Sequence, residues 1–232
     1  MKTSMMEKVQ AIGICLNCGN EIPKNSQSIL SHFAQCYGIS VSKNPTVHDS
    51  MLLLIQDKYA SEYWLVLRAK PDLSMKKIDR FLRDYWVECC GHLSEFSDRY
   101  SKISMTRLLS EVFSNGIRID YVYDFGSSTE LSLSMLKGIH DIDEKRIEVL
   151  FRNQEIEFQC SACRNKAEAI CPYCVYEEAG LLCRTCATTH KCVQEEGEDL
   201  LMPLVNSPRV GVCGYTGSIK NRIAKYLPKD IP

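Results

Sequence analysis

Residues 158–192 contain seven cysteines and one histidine, a density that points to chemistry at sulfur. Their order is C-x2-C-x7-C-x2-C-x8-C-x2-C-x3-H-x-C. A C-x2-C pair places two thiolates about 3.5 to 4 Å apart, which suits a tetrahedral Zn²⁺ with Zn–S distances of about 2.3 Å. Three such pairs and a closing His/Cys pair supply eight donors. The spacing therefore predicts two four-ligand zinc sites.

These eight donors can be grouped in two ways. Because only seven residues separate the first two C-x2-C pairs, we favour an interleaved arrangement, in which alternate pairs share a metal. A sequential arrangement, in which the first two pairs share one metal, is the alternative. The stretch resembles a B-box-type cross-braced zinc module, although it closes with H-x-C instead of two spaced histidines. The interleaved grouping assigns Cys160, Cys163, Cys183 and Cys186 to one zinc, and Cys171, Cys174, His190 and Cys192 to the other.

A second constellation lies near the N-terminus, in "CLNCGNEIPKNSQSILSHFAQC". Its order is C-x2-C-x13-H-x3-C, and the last two donors, four residues apart, share one face of a predicted helix. Ser26 is the predicted cap of that helix, and Ile29 and Phe33 are its predicted apolar packing. The pattern resembles a single C2HC finger. Its expected zinc ligands are Cys15, Cys18, His32 and Cys36.

The composition fits a globular protein in a reducing compartment. The chain has 232 residues, 45% hydrophobic and 25% charged, with a formal net charge of -1. No apolar run approaches the roughly 18 residues of a membrane span, and the start of the chain lacks a signal-peptide pattern. We therefore expect a cytoplasmic protein whose thirteen cysteines are metal ligands and not disulfides.

Three cysteines are left over when three zinc sites are filled. They are Cys89, Cys90 and Cys213. Cys89 or Cys90 with His92 as base is a candidate thiol nucleophile, but because they lie at a predicted helix end we expect buried, unreactive thiols. Cys213 stays unassigned. Fully coordinated zinc has no open position for substrate, so we expect a protein that is not an enzyme.

The segments between the cysteine-rich stretches predict an α+β fold with a largely antiparallel sheet. Two strands flank a polar turn near residues 57–61, a helix runs from Ser74 to Gly91, and alternating residues on either side of residues 126–128 predict a hairpin. A further strand follows the polar connection at residues 139–146. We expect four regions: a finger-like segment at 1–45, an α+β core at 46–158, a double-zinc module at 159–196, and a return segment with a basic helix at 197–232.

The core resembles a known family. "KIDRFLRDYWVECCGHLSEF" followed by "YVYDFGSSTELSLSML" is similar to the Ri-plasmid ORF-three-like family, also labelled insertion-element passenger TnpR-type proteins, over roughly residues 47 to 155. The segment "LLMPLVNSPRVGVCGYTG" is similar to the tail of its zinc-bearing members. The resemblance implies an α+β fold and an association with mobile elements, and it implies little chemistry.

The expected function is non-enzymatic interaction with a protein partner, stabilised by about three Zn²⁺ ions. Direct DNA or RNA binding is the alternative, because residues 203–232 carry five basic side chains and one acidic side chain. The predicted finger helix, however, contains no lysine or arginine, and such residues are the usual contacts of a DNA-reading helix. A thiol-dependent enzyme using Cys89 or Cys90 is a third hypothesis, and no membrane association is expected.

Overall fold

The computed structural model describes residues 11–39, 49–141 and 145–228. The predicted boundary between residues 45 and 46, and part of the polar connection at 139–146, lie outside these residues. Nine strands of the described chain form the main sheet. They are β1 (Ile12–Cys15), β2 (Glu21–Pro23), β3 (Ser50–Asp57), β4 (Trp64–Ala69), β5 (Ser94–Ser97), β6 (Lys102–Ile103), β7 (Ile119–Tyr123), β8 (Thr129–Ile139) and β9 (Ile147–Asn153).

The main sheet has the strand order β2-β1-β9-β4-β3-β8-β7-β5-β6, and the neighbouring strands pair antiparallel. The predicted hairpins β3–β4 and β7–β8 are both present. β9 corresponds to the strand predicted after the polar connection, and it joins β1 to β4. The predicted α+β class with a largely antiparallel sheet is confirmed.

Both faces of the sheet centre are buried, which explains why β3 and β4 are almost continuously apolar. Alternate residues point to opposite faces of a strand. Leu53 and Leu67 belong to one core cluster, with helix α2 (Met75–Leu82). Leu52 and Val66 belong to a second cluster, with helix α1 (Ser26–Tyr37). The two helices therefore cover opposite faces.

Two details of these helices correct the sequence predictions. The cap of α1 is Asn25 and not Ser26, because the Asn25 side chain accepts a hydrogen bond from the Ser28 N–H over 2.8 Å. The helix predicted to run to Gly91 ends its α-helical part at Leu82 and continues as a π-helical turn, Arg83–Val87. A π turn is often found at functional sites.

A small three-stranded sheet carries the cysteine-rich segment. It consists of β10 (Ala169–Ile170), β11 (Leu181–Leu182) and β12 (Met202–Pro203), which pair antiparallel in the order β11-β10-β12. No helix in the part of the chain described here is long and apolar enough to cross a membrane. The remaining elements are α3 (Leu109–Val112), α4 (Arg184–Thr188), α5 (Lys191–Glu196), α6 (Lys220–Ile223) and the 3-10 turns Val175–Glu177, Glu198–Leu200 and Ala224–Tyr226.

Candidate metal centres

The first cluster is built by the β1–β2 hairpin and α1. Cys15 ends β1, Cys18 lies in the turn that follows, and His32 and Cys36 lie one turn apart on α1. Their ligand atoms all lie within 4.8 Å of one another. The backbone N–H of Gly19 closes the turn by donating to the Cys15 carbonyl oxygen over 2.8 Å. The structure therefore brings together all four residues that the N-terminal spacing predicts as ligands.

Packing against the main sheet fixes this cluster. The His32 ring meets the Phe151 ring edge-on, with their centroids 5.8 Å apart. Sγ of Cys15 lies 3.9 Å from Sγ of Cys36, and Sγ of Cys18 lies 3.4 Å from Nε2 of His32. Burial raises the pKa of the Cys15 thiol to about 11. Burial thus disfavours the thiolate of Cys15, and a metal ion bound here would displace the proton of this thiol.

The cysteine-rich module groups its donors in the interleaved order. The first and third C-x2-C pairs converge, and the second pair converges with the closing His/Cys pair. Ligand atoms within each group lie within 4.8 Å of one another. The two hydrogen-bonded strands β10 and β11 separate the pairs along the chain and hold the two groups in register. The sequential alternative does not match this arrangement.

One group of the module comprises Cys160, Cys163, Cys183 and Cys186. Sγ of Cys163 lies 3.5 Å from Sγ of Cys183, which also accepts a hydrogen bond from the Cys186 N–H over 3.5 Å. Burial raises the pKa of the Cys160 thiol, but hydrogen bonds from the backbone N–H groups of Cys183 and Cys163 outweigh burial and hold that pKa at about 6. The backbone N–H groups thus favour the thiolate form of Cys160, which is the form that binds metal.

The other group of the module comprises Cys171, Cys174, His190 and Cys192. Cys171 directly follows β10, His190 precedes α5, and Cys192 lies in α5. Sγ of Cys174 lies 3.6 Å from Sγ of Cys192. Nε2 of His190 is buried and has no hydrogen-bond partner among the described residues. Because buried polar atoms are nearly always satisfied, this unpaired nitrogen fits a metal ligand.

A fourth cluster of Cys89, Cys90, His92 and Cys213 was missed by the sequence analysis. We expected the two adjacent thiols to be buried, yet Cys89 is only half-buried and Cys90 is exposed, so this expectation is wrong for Cys90. Spacing gave no sign of the cluster because His92 and Cys213 are 121 residues apart. A count of residues could have indicated it, because the three cysteines left over from the predicted sites and the nearby His92 make up one Cys₃His donor set.

Four clusters that could hold a metal ion are present in residues 11–39, 49–141 and 145–228. Together they contain all thirteen cysteines of the chain. Each cluster offers four donors of the Cys₄ or Cys₃His type. Tetrahedral sets rich in thiolate favour Zn²⁺ or iron over hard cations such as Mg²⁺ and Ca²⁺. A Zn²⁺ ion bound by four side chains would have no open position for water or substrate.

Comparison with known proteins adds little. No protein-family model matches the chain. No curated protein matches it. A solved structure of a protein of unknown function from Methanosarcina mazei Go1 is similar over 45% of this chain and 68% of its own chain, with 15% identity and a TM-score of 0.40. A similarity at this level carries no argument about this chain.

Proposed function

We propose that the chain is a zinc-binding, non-enzymatic interaction protein that binds a protein partner in a mobile-element or nucleic-acid-associated context. The observation that carries the proposal is the completeness of the three donor sets expected from spacing, each of which has four donors close together. Zinc held in this way stabilises local structure and does not activate a nucleophile. The finger-like hairpin and the double-zinc module would then act as rigid supports for binding surfaces.

Exposed apolar side chains support a protein partner. Leu93 is 75% exposed directly before β5, and Phe125 is 58% exposed two residues after the end of β7. The Asp124 N–H donates to the Leu93 carbonyl oxygen over 2.9 Å, which holds both segments at one end of the sheet. Aromatic residues are enriched at protein–protein interfaces.

Direct nucleic-acid binding is the alternative, and the charges of the described surface give it less support. Phosphate binding requires lysines and arginines that are free to neutralise the backbone. Lys225 is 3.0 Å from Asp84, and Lys166 is 2.7 Å from Glu157, so both are engaged by carboxylates. Helix α1 contains no lysine or arginine.

Site-specific photo-cross-linking tests the proposed function. A photoreactive residue at position 93 of the zinc-loaded full chain is expected to capture one defined protein in cell extract. The matched control is the same residue at position 100, because Tyr100 is 86% exposed in the turn between β5 and β6. Capture at 93 should be lost when Phe125→Ser is introduced. Equal capture from both positions would contradict the proposal.

Fluorescence anisotropy separates the nucleic-acid alternative. Zinc-loaded protein would be titrated into short DNA and RNA, single- and double-stranded, at low and physiological salt. The proposed function predicts no binding at physiological salt. Micromolar binding that weakens steeply as salt rises would favour the alternative, and Lys220 and Arg222 would then be the first residues to change.

We further propose that residues 47–155 belong to the Ri-plasmid ORF-three-like family. The support is the sequence resemblance of the segments around α2 and the β7–β8 hairpin. Because that family is associated with mobile elements, membership would supply the context of the proposed interaction. A sequence profile built from relatives of this chain, aligned to the family, would test it, and failure to align across both segments would refute membership.

A further inference from the structure

We propose that Cys89, Cys90, His92 and Cys213 form a fourth zinc site, which fastens the C-terminal segment, residues 204–228, to the main sheet. The first three residues lie in the loop between the π-helical turn and β5, and Cys213 lies in the loop after β12. The site would join parts of the chain 123 residues apart, as counted from Cys90 to Cys213. The inference goes beyond the proposed function, which depends only on the three other clusters.

Distances between the donors fit one tetrahedral ion. Sγ of Cys90 lies 3.6 Å from Sγ of Cys89 and 3.7 Å from Sγ of Cys213. A tetrahedron with Zn–S bonds of about 2.3 Å has edges of about 3.8 Å. Nε2 of His92 lies 2.9 Å from Sγ of Cys90 and 3.3 Å from Sγ of Cys213. One ion can therefore contact all four donor atoms after only small shifts.

The loop that carries three of the donors is held in place by Tyr123. The Tyr123 hydroxyl oxygen accepts hydrogen bonds from the backbone N–H groups of Cys89 (3.4 Å) and His92 (3.3 Å). The same hydroxyl donates to Oε1 of Glu88 over 2.8 Å. The His92 ring also meets the Tyr123 ring edge-on, with centroids 5.7 Å apart. The buried Tyr123 side chain therefore fixes the backbone of the loop that carries these three donors.

The backbone of Cys213 is a second, independent observation. Cys213 has φ of 50°, in the left-handed region that non-glycine residues seldom adopt. Such a conformation costs energy and persists only where the surroundings impose it. Here it directs the Cys213 sulfur to the other donors, across from Cys90. An exposed cysteine with no ligand role would gain nothing from this strain.

Arg209 places a positive charge beside the site, and its guanidinium contacts both Sγ of Cys89 and Oδ2 of Asp124. Three thiolates, one neutral imidazole and Zn²⁺ together carry a net charge of −1. The Arg209 side chain is fully buried and donates to Sγ of Cys89 over 3.4 Å. Groups that hydrogen-bond to metal ligands orient them and tune their basicity. Arg209 would therefore be a positioning residue for the Cys89 thiolate.

A reactive thiol–imidazole pair is the competing explanation for Cys90 and His92. Their contact of 2.9 Å would suit a nucleophile and its base. Such a pair, however, gives no role to Cys213, whose sulfur lies within 3.7 Å of both. It also does not explain why Arg209 contacts Cys89, which in that case is only the neighbour of the nucleophile Cys90. A metal accounts for all four donors together.

Cobalt titration of the full chain tests the fourth site. Co²⁺ replaces Zn²⁺ in tetrahedral thiolate sites and absorbs visible light in proportion to the ions bound. We expect four equivalents for the unchanged chain and three for Cys213→Ala, with about a quarter of the absorbance lost. The matched control is Val212→Ala, next to Cys213 and without a donor, which should keep four. His92→Ala should bind three, and His92→Cys should restore the fourth.

Two results would overturn the inference. One is three equivalents for the unchanged chain with no loss in Cys213→Ala, which would leave the three other clusters and the proposed function untouched. The other is rapid alkylation of Cys90 and Cys213 by iodoacetamide in zinc-loaded protein, at the rate of ordinary exposed thiols. A folded chain that binds no ion would refute the proposed function as well. The His92→Cys variant keeps the test decisive if Cys213→Ala does not fold.

Discussion

Arg209 and Asp124 form a buried ion pair in which Nη2 of Arg209 lies 2.6 Å from Oδ2 of Asp124. The pair joins the C-terminal segment to the end of β7. Arg209 holds the pKa of the Asp124 carboxyl at about 2, so this carboxyl stays charged at neutral pH. The same arginine also donates to the Ser127 carbonyl oxygen over 2.8 Å. The β7–β8 turn is therefore shaped by a residue far along the chain.

Removing this arginine is expected to destabilise the protein, because a carboxylate without its partner is left at a buried position. Arg209→Met should lower the Tm by several degrees, and adding Asp124→Asn should restore part of the loss. Arg146→Met is the control, since the Arg146 side chain is 56% exposed, its partner Asp72 is 63% exposed, and exposed pairs contribute little. Thermal unfolding followed by circular dichroism measures all three. A double variant less stable than Arg209→Met would contradict the account.

Phe33 anchors the finger-like segment to the sheet. It is fully buried and stacks on Tyr37 with ring centroids 5.1 Å apart. Phe33→Ala should lower the free energy of unfolding by about 3 to 5 kcal/mol, as expected for a buried phenylalanine. The exposed Gln27→Ala on the same helix should change it by less than about 0.5 kcal/mol. Urea unfolding of zinc-loaded protein measures both, and equal effects would contradict this packing.

Gly13 allows β1 to join the main sheet. A Cβ at this position would lie 2.3 Å from the Arg152 carbonyl oxygen and 2.4 Å from the Trp64 ring. Gly13→Ala should therefore lower the free energy of unfolding by about 1 to 3 kcal/mol, through overpacking. Gly126→Ala is a matched control, because the nearest atom to a Cβ at this position is Oδ1 of Asp124, 3.4 Å away, an ordinary contact distance. Similar losses in the two variants, measured by urea unfolding, would count against the observed β1–β9 pairing.

Lys24 should give the stability a distinct pH dependence. Burial lowers the pKa of Lys24 from its ordinary value of 10.5 to about 8. Between about pH 8 and 10.5 the unfolded chain binds the proton more tightly, so stability rises with pH in this window. Below the window, the full penalty of burying the charge remains.

The measurement is urea unfolding of the unchanged chain and Lys24→Met at pH 7 and pH 10, both zinc-loaded. The unchanged chain should gain stability relative to Lys24→Met as pH rises. The comparison cancels the pH dependence of zinc binding, which both proteins share. An unchanged difference between them would show that Lys24 is not buried as described.

Metal removal should unfold the cysteine-rich module before the main sheet. The three strands of the module are only two residues long each, so its core is too small to fold without metal. After chelation, hydrogen exchange should become fast in residues 160–203 and stay slow in β3, β4 and β8. Retained protection in the module would contradict a structural role for metal.

Features of the fold and of the sites that depend on local interactions can be predicted from the sequence, whereas those that depend on contacts between distant residues cannot. Donors close in sequence, such as Cys160 and Cys163, can be recognised from their spacing, because a C-x2-C pair places two sulfurs at the separation that one metal ion requires. The hairpins are predictable because alternation and turn residues are local signals. The role of Cys213 is not predictable in this way, because its partners come from a distant loop. The π-helical turn, Arg83–Val87, also has contacts with residues far along the chain, among them the Tyr123 ring, whose centroid lies 4.9 Å from the Arg83 guanidinium carbon.

Native mass spectrometry of the full chain purified in the presence of zinc tests the central claim most directly. The account predicts a folded chain whose mass exceeds that of the polypeptide by four zinc ions, three of them in the clusters expected from spacing. Treatment with a strong chelator should remove all of them. A folded chain with the mass of the bare polypeptide would contradict the account.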